Sequence, residues 1–210
     1  MSEGFTHLFY ISSEGGTPTQ VTSEKYNHTS YEWNDNSNGF IFSSNYNEDW
    51  EYDFRNSELY SIRYDGTDLK QLTDRKGPDY GAVLSPDGNL IAYLGYDDKI
   101  QTYQTTNLYL MDINGENKRE IKTNLDRSIS SLEWSKDGKR LYFMYDDEGN
   151  TKVASTSLYG NIKNLVDNVG GTTIGRPYGG GSYSVSTKDI IVFTLTSPYH
   201  PSDVAINDGK

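Results

Sequence analysis

The sequence predicts an all-β fold, a β-propeller of four-stranded antiparallel blades, and two repeated phrases carry that prediction. The stretch 84–93 (LSPDGNLIAY) recurs as 134–143 (WSKDGKRLYF). A second phrase, ELYSIRYDG at 58–66, recurs as NLYLMDING at 107–115. Both phrases are typical of two strands around a tight turn. A repeat of roughly 40 to 50 residues with about four strands in each unit indicates propeller blades.

Turn residues at the repeated positions give a chemical reason for the hairpins. Residues 85–88 (SPDG) and 135–138 (SKDG) close one hairpin, and 65–66 (DG) and 114–115 (NG) close the other. Proline presets φ, aspartate bonds to backbone groups two residues on, and glycine adopts positive φ without a steric cost. The flanks alternate in the period of a strand and are apolar on both sides, as expected where neighbouring blades cover both faces of a sheet.

The repeats divide the chain into blades, whose strands we name A to D from the propeller axis outward. Strand A precedes the Ser-Pro-Asp-Gly turn, B follows it, C carries the Leu-Tyr phrase, and D follows the Asp-Gly turn. The prediction is one partial propeller domain over residues 1–210. Its blades are predicted at 6–22 (C and D only), 29–73, 80–122, 129–166 and 181–206 (A, B and the start of C).

Incomplete blades at both ends predict a portion of a larger propeller, since seven blades at this period need roughly 340 residues. The alternative is a closed four-bladed ring, in which the last A and B strands pair with the first C and D strands and bury two open edges. The additional strand predicted at 202–206 argues against the ring. Open edges also predict that the chain associates with itself.

Composition argues against several kinds of partner and site. The formal net charge of −11 repels phosphate backbones and anionic lipid headgroups, so neither nucleic acid nor a membrane is expected as a partner. The chain has no cysteine, which excludes disulfides and thiolate zinc sites and fits a reducing compartment. The N-terminus lacks a secretory signal pattern, which predicts a cytoplasmic location, with the periplasm as the alternative if a signal has been removed upstream.

The sequence contains no complete catalytic or metal-binding motif. Residues 180–184 (GGSYS) come nearest to a hydrolase nucleophile turn, but they lack the final glycine and precede a predicted strand. The three histidines, His7, His28 and His200, fall on different blades without ligand spacing. We therefore expect no catalytic residue, metal or cofactor site in these residues. A histidine-held metal, as in some propeller polysaccharide lyases, is the alternative.

These phrases resemble the TolB-like propeller repeat and, more closely, the N-terminal propeller of the prolyl oligopeptidase family of serine peptidases, in its acylaminoacyl-peptidase and dipeptidyl-peptidase branch. The resemblance is carried by 58–73, 84–93, 107–121, 134–143 and a C-terminal stretch from 175 (GRPY) to 205. It implies a separate α/β-hydrolase domain with a Ser-Asp-His triad, whose substrates the propeller filters by size. This chain would then be a gate or scaffold without chemistry of its own. A TolB-like protein-binding module is the alternative.

One face of the predicted propeller collects loops of mixed charge, because strands alternate in direction and the B–C and D–A loops emerge together. The B–C loops at 48–53, 96–98 and 145–148 are acidic and aromatic, and the D–A loops add basic residues. This composition favours a recognition face for the hydrolase domain or a peptide terminus, while solvated polar loops are the alternative. The candidate contact residues are Arg176, Tyr178, Asp97 and Asp146. Arg176 is the first of these residues to test, because a guanidinium suits carboxylate or carbonyl binding.

Overall fold

A computed structural model of the chain describes residues 4–34, 38–171, 180–197 and 199–209. Every regular element within these ranges is a β-strand. None of the described residues belongs to a helix long and apolar enough to cross a membrane. The all-β prediction is therefore confirmed.

The chain divides into two compact units, which are described separately. Unit 1 comprises residues 1–104 and 109–119, and unit 2 comprises residues 105–108 and 120–210. Both units consist of antiparallel sheets.

Unit 1 contains the first sheets. A two-stranded sheet pairs β1 (Phe9–Tyr10) with β2 (Thr19–Gln20). The first complete blade has the order β3 (His28–Trp33), β4 (Gly39–Ser44), β5 (Glu58–Arg63) and β6 (Lys70–Gln71). The second blade has the order β7 (Asp79–Leu84), β8 (Leu90–Gly95), β9 (Asn107–Asp112), whose first two residues belong to unit 2, and β10 (Arg119–Glu120). The strands of these two blades run from His28 to Gln71 and from Asp79 to Glu120.

Unit 2 contains a seven-stranded sheet. Its first four strands form the third blade, in the order β11 (Ile129–Trp134), β12 (Arg140–Asp147), β13 (Asn150–Ser157) and β14 (Ile162–Val169). The last three are β15 (Tyr183–Val185), β16 (Ile191–Ser197) and β17 (His200–Asn207), with β16 between the other two. One residue pair, Val169 with Leu195, joins β14 to β16. The predicted A, B and C strands at 181–206 are present, and β17 is longer than expected.

The repeated turns have the chemistry that the sequence predicts. The Ser85 hydroxyl donates to Asp87 Oδ1 over 2.6 Å and accepts from the Leu90 N–H over 2.9 Å. In the third blade the Ser135 hydroxyl likewise donates to Asp137 Oδ1, over 2.7 Å. Serine and aspartate thus satisfy the backbone of a two-strand turn within the turn itself.

A β-bulge in strand A is a repeated feature that the sequence analysis did not predict. Each first strand shifts register against its partner where Ser30, Gly81 or Ser131 has a positive φ of 50°, 61° or 54°. A bulge inserts one unpaired residue and bends the strand. The recurrence at one position in three blades shows that the bulge belongs to the repeat.

Apolar cores lie between the strands of each unit. In unit 1 one cluster joins the first two blades and includes Ile41, Leu59, Ile91 and Met111. A second cluster packs Leu8 of the N-terminal segment against Phe40, Phe42, Tyr60 and Ile62 of the first blade. In unit 2 the cluster includes Tyr142, Val153, Val166, Ile191 and Phe193. Each four-stranded sheet is thereby held by side chains from a neighbouring sheet, as in a propeller.

Candidate functional site

The loops that the repeat places on one face do contact each other within each unit. In unit 1 the Asp98 N–H donates to the Lys76 carbonyl over 2.9 Å, which joins the β8–β9 loop to the β6–β7 loop. In unit 2 the Arg127 guanidinium, from the β10–β11 loop, lies 3.1 Å from Asp147 at the end of β12. The D–A and B–C loops therefore form a loop-rich edge in both units, where side chains of opposite charge meet.

A buried ion pair lies beneath the loop-rich edge of unit 1. Arg75 donates from Nη2 to Oδ1 of Asp79, the first residue of β7, whose side chain is almost fully buried. The guanidinium carbon lies 3.9 Å from the ring centroid of Tyr109, a cation–π geometry. Arg75 Nε lies 3.6 Å from Asp97 Oδ1 at the surface, beyond hydrogen-bond geometry. The arginine thus links a buried carboxylate to an exposed one.

A second buried carboxylate, Glu58 at the start of β5, belongs to the same cluster. Glu58 is only 7% exposed, and its Oε2 has no hydrogen-bond partner among the described residues. The Thr73 hydroxyl, which accepts from the Leu59 N–H over 2.8 Å, interacts with the carboxyl groups of both Glu58 and Asp79. We call Glu58, Thr73, Arg75, Asp79 and Tyr109 the buried charge cluster.

A glycine makes room for the ion pair. A Cβ on Gly95, the last residue of β8, would collide with the Arg75 guanidinium, the Asp79 carboxylate and the Pro78 carbonyl. Gly77 is constrained similarly, with a φ of 135° and backbone of the β8–β9 loop where a side chain would begin. The sequence can therefore place Arg75 against Asp79 only because the opposing strand ends in glycine.

Burial shifts the titration of both carboxyl groups toward neutral pH. Desolvation raises the pKa of Glu58 to about 7, and hydrogen bonds from Thr73 and the Arg75 backbone oppose this rise. Desolvation also raises the pKa of Asp79 to about 6, although the Arg75 charge acts in the opposite direction. Carboxyl groups with such shifts occur at functional sites and also in structural ion-pair networks. The cluster can bind and release protons near neutral pH.

The wild type should become less stable as pH rises through about 7, and Glu58→Gln should not. Because folding raises the pKa of Glu58 from 4.5 to about 7, the neutral carboxyl is favoured in the folded state. Its stabilising contribution is complete below pH 4.5 and is lost as pH rises through about 7, a difference of about 3 kcal/mol in the free energy of unfolding. Urea unfolding of both proteins from pH 4 to 8 measures it.

Asp79 is present in the wild type and in Glu58→Gln, so its own titration contributes to both stability curves. Glu120→Gln, which removes one exposed glutamate from β10, serves as the control for the loss of a charge. Parallel stability curves for the wild type and Glu58→Gln between pH 4 and 8 would contradict the assignment of a raised pKa to Glu58.

Two of the three histidines, His7 beside the first sheet and His28 on β3, lie close to each other. The rings of His7 and His28 lie 5.5 Å apart, while His200 lies on β17 in the other unit. His28 is buried, and its Nδ1 donates to the Thr6 carbonyl over 2.9 Å while Nε2 accepts from the Tyr46 hydroxyl over 2.8 Å. Both ring nitrogens are therefore engaged, and burial lowers the pKa of His28 and keeps it neutral. Among the described residues no group of three or more His, Asp or Glu side chains could hold a metal.

The predicted contact residues have different outcomes. Arg176 and Tyr178 lie outside the described residues. Asp97 is exposed at the loop-rich edge of unit 1, where it faces Arg75. Asp146, in unit 2, accepts a 2.6 Å hydrogen bond from the Thr151 hydroxyl across its own hairpin. Their roles in recognition stay predictions.

Residues 180–184, which come nearest to a nucleophile motif, form the approach to β15. The Ser182 N–H donates to the Thr194 hydroxyl over 3.0 Å, and the Ser182 carbonyl accepts from the Thr194 N–H. The segment leads directly into β15, so Ser182 is part of the approach to a strand and not of a strand-to-helix turn.

Sequence reasoning missed Glu58 and Asp79, the two buried acids of the cluster. A signal for Glu58 was present, because the acid stands immediately before the Leu-Tyr phrase, at the start of a strand whose remaining residues are mostly apolar. An acid at the start of such a strand belongs at the boundary between core and loops. The other members of the cluster come from the β6–β7 loop, β7 and β9, and no spacing in the sequence indicates them.

Comparison with known proteins relates the chain to peptidase propellers. Residues 1–99 match the family described as the dipeptidyl peptidase IV N-terminal region. A curated relative, the probable dipeptidyl-peptidase 5 of Arthroderma benhamiae, is 29% identical over 109 residues, which cover 46% of this chain and 15% of the relative. The chain therefore spans only a small part of the curated relatives it matches.

Solved structures match nearly the whole chain. TolB from Acinetobacter baumannii is 18% identical with a TM-score of 0.66, over 95% of this chain and 45% of that chain. A puromycin-hydrolyzing peptidase from Mycobacterium tuberculosis is 13% identical with a TM-score of 0.70, over 97% of this chain and 34% of that chain. An oligogalacturonate lyase in complex with manganese is 15% identical with a TM-score of 0.74, over 96% of this chain and 53% of that chain. At such identities these matches show the fold alone.

The family model and the curated relatives agree with the resemblance that the repeated phrases carry, and the structural matches agree with the blades. The chain has a β-propeller fold, which it shares with TolB, and it is similar to the N-terminal propeller regions of dipeptidyl peptidases and related peptidases of the prolyl oligopeptidase family.

Proposed function

We propose that this chain is part of the propeller of a serine peptidase of the prolyl oligopeptidase family. In this role it covers a separate α/β-hydrolase domain, restricts which substrates reach it, and breaks no bond itself. The observation that carries the proposal is the match of residues 1–99 to the dipeptidyl peptidase IV N-terminal region. The loop-rich edge supports it, because exposed charges of both signs on rigid blades suit the recognition of a second domain or of a peptide terminus.

The first test uses the full-length gene product beside the 210-residue chain. A fluorophosphonate probe, which labels activated serines, should label the full-length protein and leave the 210-residue chain unlabelled. The full-length protein should also cleave a short chromogenic dipeptide substrate with a far higher kcat/KM than a long peptide carrying the same cleavage site. Labelling of the 210-residue chain would overturn the non-catalytic role, and equal cleavage of both substrates would overturn the filter.

A pair of variants tests whether the loop-rich edge takes part. Asp97→Asn removes an exposed charge from that edge, while Asp68→Asn removes one from the opposite, turn-rich end of the same unit; the two side chains are 68% and 78% exposed. Asp68 has a φ of 56°, which asparagine also adopts readily. Losing a charge-assisted contact should lower the kcat/KM of the full-length protein about tenfold for Asp97→Asn only. Equal effects of both variants would contradict a role for this edge.

If the full-length gene product is not labelled by the probe and cleaves neither substrate, the peptidase assignment is wrong. The TolB-like protein-binding module then becomes the better interpretation of the fold.

A further inference from the structure

Two loops of unit 1 lie on either side of a third and form one continuous surface. The β4–β5 loop contacts the β6–β7 loop through Asn56, whose side-chain oxygen accepts from the Gly77 N–H over 3.0 Å. The β8–β9 loop contacts it from the other side, where the Asp98 N–H donates to the Lys76 carbonyl.

This surface exposes large apolar side chains. Tyr52, Phe54, Ile100 and Tyr103 are between 68% and 88% exposed. We call these four residues the apolar patch. Single exposed apolar residues are common, but four large ones on the two loops that flank the β6–β7 loop are typical of interaction sites. Two of them are in each outer loop, so the patch extends across the loop-rich edge.

Ile100 is held outward in a strained conformation. Its φ is 55°, in a left-handed region that β-branched residues rarely adopt. The other eight non-glycine residues with positive φ in the described parts of the chain are Ser, Asp, Asn or Glu. Asp98 Oδ1 accepts from the Ile100 N–H over 2.8 Å and from the Gln104 side chain over 2.7 Å, which fixes the loop. The fold thus maintains both backbone strain and an exposed isoleucine, a combination found at binding sites.

Acidic groups surround the apolar patch. The outer loops, at 45–57 and 96–104, carry six acidic residues against two basic ones. Hydrogen bonds from Gln104 and the Ile100 N–H lower the pKa of Asp98, which therefore stays ionised at neutral pH. A partner must offer apolar surface to the patch and positive charge to its surroundings. An anionic lipid surface or a nucleic acid would be repelled.

We propose that the apolar patch binds a polypeptide segment in which lysine or arginine side chains alternate with aromatic or aliphatic ones. The apolar side chains of the segment cover Ile100 and the aromatic residues, and its cationic groups pair with the acidic loop residues, which include Asp49, Glu51 and Asp97. This site goes beyond the proposed peptidase role, because it depends only on the two loops of unit 1. Binding at this site is measured on the 210-residue chain and requires no peptidase activity.

The test measures binding of two labelled synthetic peptides to the 210-residue chain by fluorescence anisotropy. One peptide alternates lysine with phenylalanine and leucine, and the other has glutamate in place of every lysine. The lysine peptide should bind, more weakly as salt increases, and the glutamate peptide at least about tenfold more weakly. Ile100→Asn and Phe54→Ser should each weaken binding of the lysine peptide about tenfold.

Controls separate a specific site from general attraction to an acidic protein. Tyr159→Ser removes a side chain of comparable exposure, 87%, from a turn of unit 2, and it should leave binding unchanged. Asparagine adopts the φ of position 100 more readily than isoleucine, so Ile100→Asn should unfold at the same or a higher temperature than the wild type. The proposal is overturned if the lysine peptide does not bind, if both peptides bind equally, or if Tyr159→Ser weakens binding as much as the patch variants.

Discussion

Arg75→Ala should lower the free energy of unfolding by about 3 to 5 kcal/mol at pH 7.5, the usual cost of leaving one member of a buried ion pair without its partner. Asp79 is nearly fully buried, and Arg75 is its cationic partner. The substitution also removes the cation over the Tyr109 ring and leaves a cavity beside Gly95. Urea unfolding followed by tryptophan fluorescence measures the loss.

Arg63→Ala is the matched control for Arg75→Ala. The Arg63 side chain is about half exposed and faces the exposed carboxylates of Asp65 and Asp68, and exposed pairs of this kind contribute about 0 to 1 kcal/mol. The cost of Arg75→Ala should also shrink at pH 5, because Asp79, whose pKa is raised to about 6, is then mostly protonated in both proteins and is no longer a buried charge that needs a cation. A loss that is equal at both pH values, or no larger than that of Arg63→Ala, would argue against the buried ion pair.

Phe42→Ala should lower the free energy of unfolding by about 3 to 5 kcal/mol, through lost burial and the cavity that remains. The Phe42 ring is fully buried on β4, and it contacts the rings of His28 at 5.3 Å and Tyr60 at 5.8 Å between centroids. These neighbours come from other strands of the same blade, and the cluster also includes Leu8 of the N-terminal segment. Strand pairing with β3 and β5 holds the surrounding backbone, so the cavity closes only in part.

Phe9→Ala is the control for Phe42→Ala, because Phe9 lies on β1 in the same unit and is about half exposed. Its loss should cost less than about 1 kcal/mol, as expected for a surface substitution. Thermal unfolding should show a much lower midpoint for Phe42→Ala than for Phe9→Ala. Similar midpoints for the two variants would show that the first-blade core contributes less than its burial implies.

The hairpin turns could be predicted because the information that determines them is local. A Ser-x-Asp-Gly turn satisfies its own backbone, so Ser85, Asp87, Ser135 and Asp137 indicate hairpins wherever they occur. The alternating strands on either side follow from the same phrase. Even the shortened last blade could be placed, since the three strands at the C-terminus fall within or close to the predicted ranges.

The strand-A bulge and the buried charge cluster could not be predicted, for different reasons. Ser30 and Ser131 are compatible with an ordinary strand, and only the register against the second strand shows that each has a positive φ. The cluster combines Glu58, Arg75 and Asp79, which lie on separate strands and loops. Burial changes their properties, because the pKa of each carboxyl group rises only once the blades exclude water.

The all-β class, the blade period and the edge on which the long loops gather follow from the sequence, because turn chemistry and strand alternation operate over a few residues. Which charges are buried and which apolar side chains remain exposed is visible only in the folded chain. Arg75 reaches Asp79 through space left by Gly95, and Ile100 is exposed because Asp98 and Gln104 hold its loop. Such contacts depend on how strands and loops pack, and packing is a property of the folded chain and not of any short segment.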